Sequence, residues 1–80
     1  MHELGITEQM LTVALEQASK SGISTIKRIN LILGETSDIS SESVQFYFDP
    51  LSKGTPAQGA ELCFLPASGQ AFYIESIEGE

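Results

Sequence analysis

The sequence contains few basic side chains. It has four Lys and Arg against eleven Asp and Glu over 80 residues, which gives a formal net charge of −7 at pH 7. Binding to the phosphates of nucleic acids, or to an anionic membrane surface, depends on clustered Lys and Arg. We therefore expect neither a nucleic acid nor a membrane among the partners of this chain.

Cysteine and histidine are also nearly absent, which excludes most metal and catalytic sites. The lone cysteine, Cys63, cannot form an internal disulfide, and without a Cys-x-x-Cys pair a cysteine-rich structural zinc site is excluded. We expect Cys63 to be a small buried hydrophobic residue of a strand. The one histidine, His2, is remote from it along the chain, so a Cys–His catalytic pair is not expected. Glu35 and Asp38 share a polar loop, where turn formation explains them better than acid–base catalysis, and we expect no enzyme.

Long apolar runs are missing as well. The longest have three or four residues, too few to cross a membrane, and the first residues are acidic where a signal peptide is basic. Hydrophobic residues make up 41% and charged residues 19% of the chain, which is typical of a folded domain and not of a disordered segment. We expect one domain over residues 1–80, located in the cytoplasm.

The spacing of apolar residues predicts a first helix from Ile6 to about Ser21. Thr7, or Gly5 before it, is the predicted cap, and Gly22 ends the helix. One face carries an apolar stripe at helical spacing, made of Met10, Leu11, Ala14, Leu15 and Ala18.

The remaining elements follow from composition and spacing. They are a strand over 23–34, a helix from Ser41 to about Gly54, and two strands over 60–65 and 70–77. Ser40 or Ser41 is the predicted N-cap of the second helix, and Pro50 should disturb its last turn. Strict alternation puts Ile26 opposite Ile29 on the first of these strands, and Ile77 opposite Ile74 on the last.

These elements predict an α/β (α+β) fold, in which two helices pack on a small mixed three-stranded sheet in the order α-β-α-β-β. A strand–helix–strand unit favours a crossover that joins two parallel strands. The short turn near residues 66–70 favours antiparallel pairing of the last two strands with each other.

The first three residues bring several nitrogen ligands close together. The terminal amine, the amide nitrogen and imidazole Nδ1 of His2, and the amide nitrogen of Glu3 can lie in one plane. Four nitrogens in a plane suit Ni(II) or Cu(II) and disfavour tetrahedral Zn(II). On the residues alone the ordinary alternative, a solvated terminal histidine, stays open.

Several short motifs follow one another along nearly the whole chain. They are Met1-His-Glu-Leu4 before an amphipathic helix, Ile29-Asn-Leu-Ile-Leu-Gly-Glu35, Ser41-Glu-Ser-Val-Gln-Phe-Tyr-Phe48, Lys53-Gly-Thr55, Gly59-Ala-Glu-Leu62 and Ser76-Ile-Glu78. Together they resemble the HypA/HybF family of nickel chaperones for hydrogenase maturation. The resemblance implies that the Met1 amine, the His2 imidazole and backbone, and the Glu3 amide hold Ni(II). It also implies two partners, a HypB-like maturation GTPase and the large subunit of [NiFe]-hydrogenase.

The chain departs from that family at one place. Family members carry a zinc-binding insert with two Cys-x-x-Cys pairs between the last two strands, where this chain has only Pro66-Ala-Ser-Gly-Gln70. We therefore expect Ni(II) but no zinc. The leading hypothesis is a module that delivers nickel. The alternative is an interaction module that docks the family's partners, or self-associates, without handling metal.

Overall fold

The computed structural model describes residues 2–80, with side chains from residue 3 onward. The elements are α1 (His2–Ser21), β1 (Ile26–Gly34), α2 (Ser41–Leu51), β2 (Glu61–Ala67) and β3 (Phe72–Gly79). The three strands form one mixed sheet, and both helices pack on one of its faces. The predicted α+β fold and the order α-β-α-β-β are confirmed.

Helix α1 begins at His2, one turn before the predicted start at Ile6. Gly5 and Thr7, the predicted caps, therefore lie inside the helix. The buried stripe explains the longer helix, because it continues backwards at helical spacing through buried Thr7 to half-buried Leu4. Because Thr7 is polar, apolar periodicity alone does not predict this continuation of the helix.

Helix α2 begins where its cap was predicted. The Oγ of Ser40 accepts a hydrogen bond from the backbone N–H of Ser43 at 3.3 Å, which confirms Ser40 as the N-cap. Pro50 lies in the last turn and has no N–H to donate. The helix ends at Leu51, before the predicted limit at Gly54.

Strand β1 is the central strand, with β2 parallel on one side and β3 antiparallel on the other. The parallel pairing of β1 with β2 across α2 confirms the predicted crossover. The predicted pairing of the last two strands with each other is wrong, because β2 and β3 lie on opposite sides of β1. The link over residues 68–71 passes across the end of β1. As a result, β2 pairs with one edge of β1 and β3 pairs with the other.

Gly34, the last residue of β1, allows the link to cross there. Its N–H donates to the carbonyl oxygen of Ala71 at 2.7 Å. The N–H of Glu35 donates to the carbonyl oxygen of Ala67 at 2.8 Å, on the β2 side. A Cβ at position 34 would fall well inside contact distance of the Gly69 carbonyl group, so only glycine fits beneath the link.

Two β-bulges decide which side chains face the helices. The pairing of β1 with β3 shifts register near the start of β1 and again at Glu75. The first shift puts Ile26 on the core side together with Ile29, and both are fully buried. The second brings Ile77 to the core side with Ile74. Strict alternation had predicted opposite faces for each pair, so both of those predictions are wrong.

The core lies between the sheet and the two helices. Its buried hydrophobic residues are Met10, Leu11, Ala14, Ala18, Ile26, Ile29, Leu31, Val44, Phe48, Ala57, Ala60 and Leu62. Leu15, predicted to belong to the buried stripe, is half-buried and packs against this core. Within residues 2–80, no helix combines the length and the apolar character that a membrane span requires.

Substitution of Gly34 by Ala should destabilise the protein, because its methyl group would collide with the backbone of the link. We expect the free energy of unfolding in urea to fall by about 2 kcal/mol or more. Gly5→Ala is the matched control, since it lies inside α1 with nothing within 4 Å of the added Cβ. The control should gain up to about 1 kcal/mol from helix propensity. Equal stability of the two variants would contradict the proposed crossing constraint.

Candidate metal site

The predicted nickel ligands lie at the start of α1. Met1 and the side chain of His2 are outside the described residues, whereas the backbone of His2 begins the helix. Glu3 is half-buried in the first turn. Because α1 begins at His2, the amide N–H groups of His2 and Glu3 have no carbonyl acceptor within the helix. Binding of a metal ion to these two amide nitrogens would therefore break no helical hydrogen bond.

The hydroxyl group of Thr7 fixes the first turn of α1. Thr7 is fully buried, and its Oγ1 donates to the carbonyl oxygen of Glu3 at 2.6 Å. This bond ties the backbone of a predicted nickel ligand to the side of the helix that faces the core. Sequence reasoning missed the role because it took Thr7 for a cap. The position of Thr7 on the buried stripe, four residues after Glu3, is the signal that identifies it.

The first turn of α1 lies at an end of the molecule that is rich in carboxylates. Both helices run opposite to β1, so their N-termini meet the end of β1 and the 68–71 link at this one end. We call it the acidic end, and its carboxylates belong to Glu3, Glu8, Glu35, Asp38 and Glu42. Glu3 and Glu42 lie in the first turns of their helices, where a negative charge favours the helix dipole.

The basic residues lie at the opposite end of the molecule. Lys20 is in the last turn of α1, Lys27 and Arg28 are near the start of β1, and Lys53 follows α2. The candidate metal site therefore lies among carboxylates and away from the Lys and Arg side chains. A carboxylate-rich surface attracts cations and basic surfaces and speeds their encounter with the site.

The sheet face away from the helices carries a polar network near the start of β1. Arg28 Nε donates to Glu61 Oε1 at 3.2 Å, and Arg28 Nη1 lies 3.7 Å from Glu78 Oε1. The hydrogen bond and the charge of Glu61, together with the charge of Glu78, raise the pKa of Arg28 above its ordinary value. Asn30 Nδ2 also donates to Glu78, at 2.9 Å. These groups connect side chains of three neighbouring strands on the exposed face of the sheet.

Cys63 belongs to this open face and not to the core. It is half-buried and pairs in register with Asn30 of β1. The expectation of a buried core cysteine is therefore wrong, because the neighbouring positions of β2, Leu62 and Phe64, supply the side chains that pack toward the helices.

The carboxylates of the acidic end are not grouped closely enough to form a metal site. Among residues whose side chains are described, no three His, Cys, Asp or Glu side chains are grouped so that they could hold one metal ion. Glu35 and Asp38 are therefore not assembled as metal ligands with a third such group. The backbone and side-chain nitrogens of the first residues stay the predicted ligands.

The comparisons with known proteins all match the same kind of protein. The sequence profile described as "Hydrogenase/urease nickel incorporation, metallochaperone, hypA" matches residues 1–72. A "Hydrogenase maturation factor HypA" of Caldanaerobacter subterraneus is 42% identical over 64 residues, which is 80% of this chain and 56% of that protein. A protein of the same name from Xanthobacter autotrophicus is 33% identical over 78 residues, which is 98% of this chain and 69% of that protein.

A solved structure shares the fold. The solution structure of the Ni metallochaperone HypA from Helicobacter pylori superposes with a TM-score of 0.72 at 13% sequence identity. The superposition covers 92% of this chain and 70% of that one. The chain therefore spans a little over half to about two thirds of the length of these relatives.

Thr7→Val should loosen the first turn of α1 while it keeps the shape of the side chain. The variant loses one hydrogen bond to Glu3, which contributes about 1 kcal/mol, so hydrogen exchange of the amides of residues 6–8, which bond to the carbonyl groups of the first turn, should speed up roughly fivefold. Exchange in the rest of α1 should change much less. Thr7→Ser is the control, because it keeps the hydroxyl group and should leave these amides protected. Equal exchange in the valine and serine variants would show that the hydroxyl does not fix this turn.

Proposed function

Since the chain belongs to the HypA family, we propose that it is a nickel-binding metallochaperone module that delivers Ni(II) for [NiFe]-hydrogenase maturation. The observation that carries the proposal is the match of the family profile over residues 1–72, which starts at Met1-His2-Glu3. The proposed ligands are the Met1 amine, the amide nitrogen and imidazole of His2, and the amide nitrogen of Glu3. The location of the described helix start supports this set, because α1 begins at His2.

The proposed site also suits the electrostatics of a helix N-terminus. Two amides lose their protons when their nitrogens bind, so two negative charges balance the two positive charges of Ni(II). The complex is then neutral, and the positive end of the helix dipole does not repel it. A planar arrangement is also the one that Ni(II) accepts and tetrahedral Zn(II) does not.

Delivery on this proposal is ligand exchange and not bond-breaking catalysis. A planar site leaves Ni(II) open above and below the plane, so ligands of a recipient can bind before those of the chaperone leave. The amides of His2 and Glu3 take up protons again as the ion departs. The proposed recipients are a HypB-like maturation GTPase and the large subunit of [NiFe]-hydrogenase, and the proposed location is the cytoplasm.

We also propose that this module works without zinc. The sequence has one cysteine, and the strands β2 and β3 are joined only by residues 68–71. A four-cysteine zinc site cannot be built on that link. Residues 1–80 would then act as one domain whose metal chemistry is confined to the start of α1.

A nickel titration of the untagged chain tests the proposed ligands. We expect one Ni(II) per chain, with the yellow absorbance of a planar site, and at least a tenfold loss of affinity, about 1.4 kcal/mol, in His2→Ala. Glu3→Ala is the matched control, because it removes a side chain and keeps the proposed amide ligand. Calorimetry should find the control within about threefold of the parent affinity. Equal and weak binding by the parent and His2→Ala would favour the alternative of an interaction module that handles no metal.

The terminal amine is tested separately by acetylating Met1. The acetylated chain keeps every side chain and both proposed amide ligands but has no free terminal amine, so nickel affinity should drop by about tenfold or more. The fold should not change, which circular dichroism can verify. Unchanged affinity of the acetylated chain would exclude the Met1 amine as a ligand.

A further inference from the structure

An apolar groove runs between α1 and the outer edge of β3. It encloses about 400 Å³. Its main apolar lining residues are Ile6, Met10, Val13, Phe72, Tyr73 and Ile74. Val13 is 41% exposed in the groove, and Tyr73, which is 56% exposed, lies on the opposite face of the same edge strand, so both faces of this edge leave apolar surface in contact with water. An exposed apolar surface of this kind is typical of a binding groove.

The edge of β3 beside this groove is available for a further strand. In the described part of the chain β3 pairs only with β1, so its other edge has no strand partner. Edge strands are usually protected by Lys, Pro or a bulge. β3 contains neither Lys nor Pro, and its bulge at Glu75 comes after the groove residues. The stretch from Phe72 to Ile74 is therefore an unprotected edge.

The charges around the groove select the kind of segment that fits it. No Lys or Arg lines the groove, and the basic residues lie at the far end of the molecule. Glu8 lines a neighbouring hollow that shares Gln9 and Val13 with the groove, and Glu75 follows the strand residues of the groove. A segment with positive side chains would meet carboxylates on both sides.

A second copy of this chain is a poor occupant by the same argument. Two-fold pairing of β3 with another β3 would place Glu75 and Glu78 of both copies along one shared edge, and each chain has a net charge of −7. Like charges opposite one another destabilise a strand pair. Complementary charge therefore favours a different, basic partner.

We propose that this groove binds an extended partner segment of alternating apolar and basic residues, which adds to the sheet as a fourth strand beside β3. Backbone hydrogen bonds to β3 give affinity, and alternate side chains enter the groove beside Val13, Phe72 and Ile74. The groove starts at Ile6, one turn from the proposed nickel ligands, so a partner held there lies next to the metal. This role in delivery rests on the proposed function, whereas binding of the segment itself needs no nickel.

The probe is a blocked eight-residue peptide that alternates Val and Lys, labelled with a dye and titrated without nickel. Two matched peptides carry Glu in place of Lys, or Ser in place of Val. Fluorescence anisotropy should show binding at least about tenfold tighter for the Val–Lys peptide than for either of the others. Amide shifts in the NMR spectrum should be largest along 72–74 of β3.

Variants of the chain locate the binding surface. Val13→Lys changes an exposed groove residue and should weaken binding of the Val–Lys peptide about tenfold or more. Phe46→Lys is the matched control, because Phe46 is 71% exposed on α2 and does not line the groove. It adds the same charge and should bind the peptide within about twofold of the parent chain.

Three results would overturn the proposal. If Phe46→Lys weakened peptide binding as much as Val13→Lys, the effect would come from the overall charge of the chain and not from the groove. If the Ser–Lys peptide bound as tightly as the Val–Lys peptide, apolar side chains in the groove would not contribute to binding. Sedimentation that shows a dimer dissociated by Val13→Lys would assign the groove to a second copy. Nickel affinity is read in a separate titration, so failure of the groove proposal and failure of the nickel proposal are distinguishable.

Discussion

The crossing of the 68–71 link over Gly34 is the constraint on which the arrangement of this molecule depends. Because position 34 has no side chain, the link lies directly on the end of β1 and bonds to it from both sides. β2 and β3 are thereby held on opposite edges of β1, and β1 becomes the central strand. The same crossing leaves β3 at the outside of the sheet, where its free edge borders α1.

The grouping of carboxylates at the acidic end follows from the direction of the elements. Both helices run antiparallel to β1. Both helix N-termini therefore lie at the end of the molecule where β1 ends and the 68–71 link crosses it. Acidic residues are favoured in first helical turns, whereas the one basic residue within a helix, Lys20, lies in a last turn. Local rules of helix stability therefore account for Glu3 and Glu42 at the acidic end and for Lys20 at the other. The proposed nickel ligands lie at the acidic end because α1 starts there.

Patterns in the sequence predicted the elements and the fold class, since each element has its own period. They failed where one residue breaks a period. Bulges near the start of β1 and at Glu75 moved Ile26 and Ile77 to the core side, and strict alternation cannot represent an extra residue. The first turn of α1 was not predicted because a polar residue, Thr7, occupies a buried position of the stripe. Thr7 can be buried there because its hydroxyl group is hydrogen-bonded within the helix. The position of β3 was not predictable from the shortness of the link, since a short link can either form a hairpin or cross a strand that ends in glycine.

The candidate metal site differs from these tertiary features in how it depends on the fold. Its proposed ligands are consecutive in the sequence, so no distant contact is needed to bring them together. The fold contributes only the position at which α1 begins, and that position is secured by Thr7 and the buried stripe behind it. The link between β2 and β3, in contrast, is remote from the ligands along the chain and sets the order of the sheet. A change in the length of that link can therefore occur without altering the helix start on which nickel binding would depend.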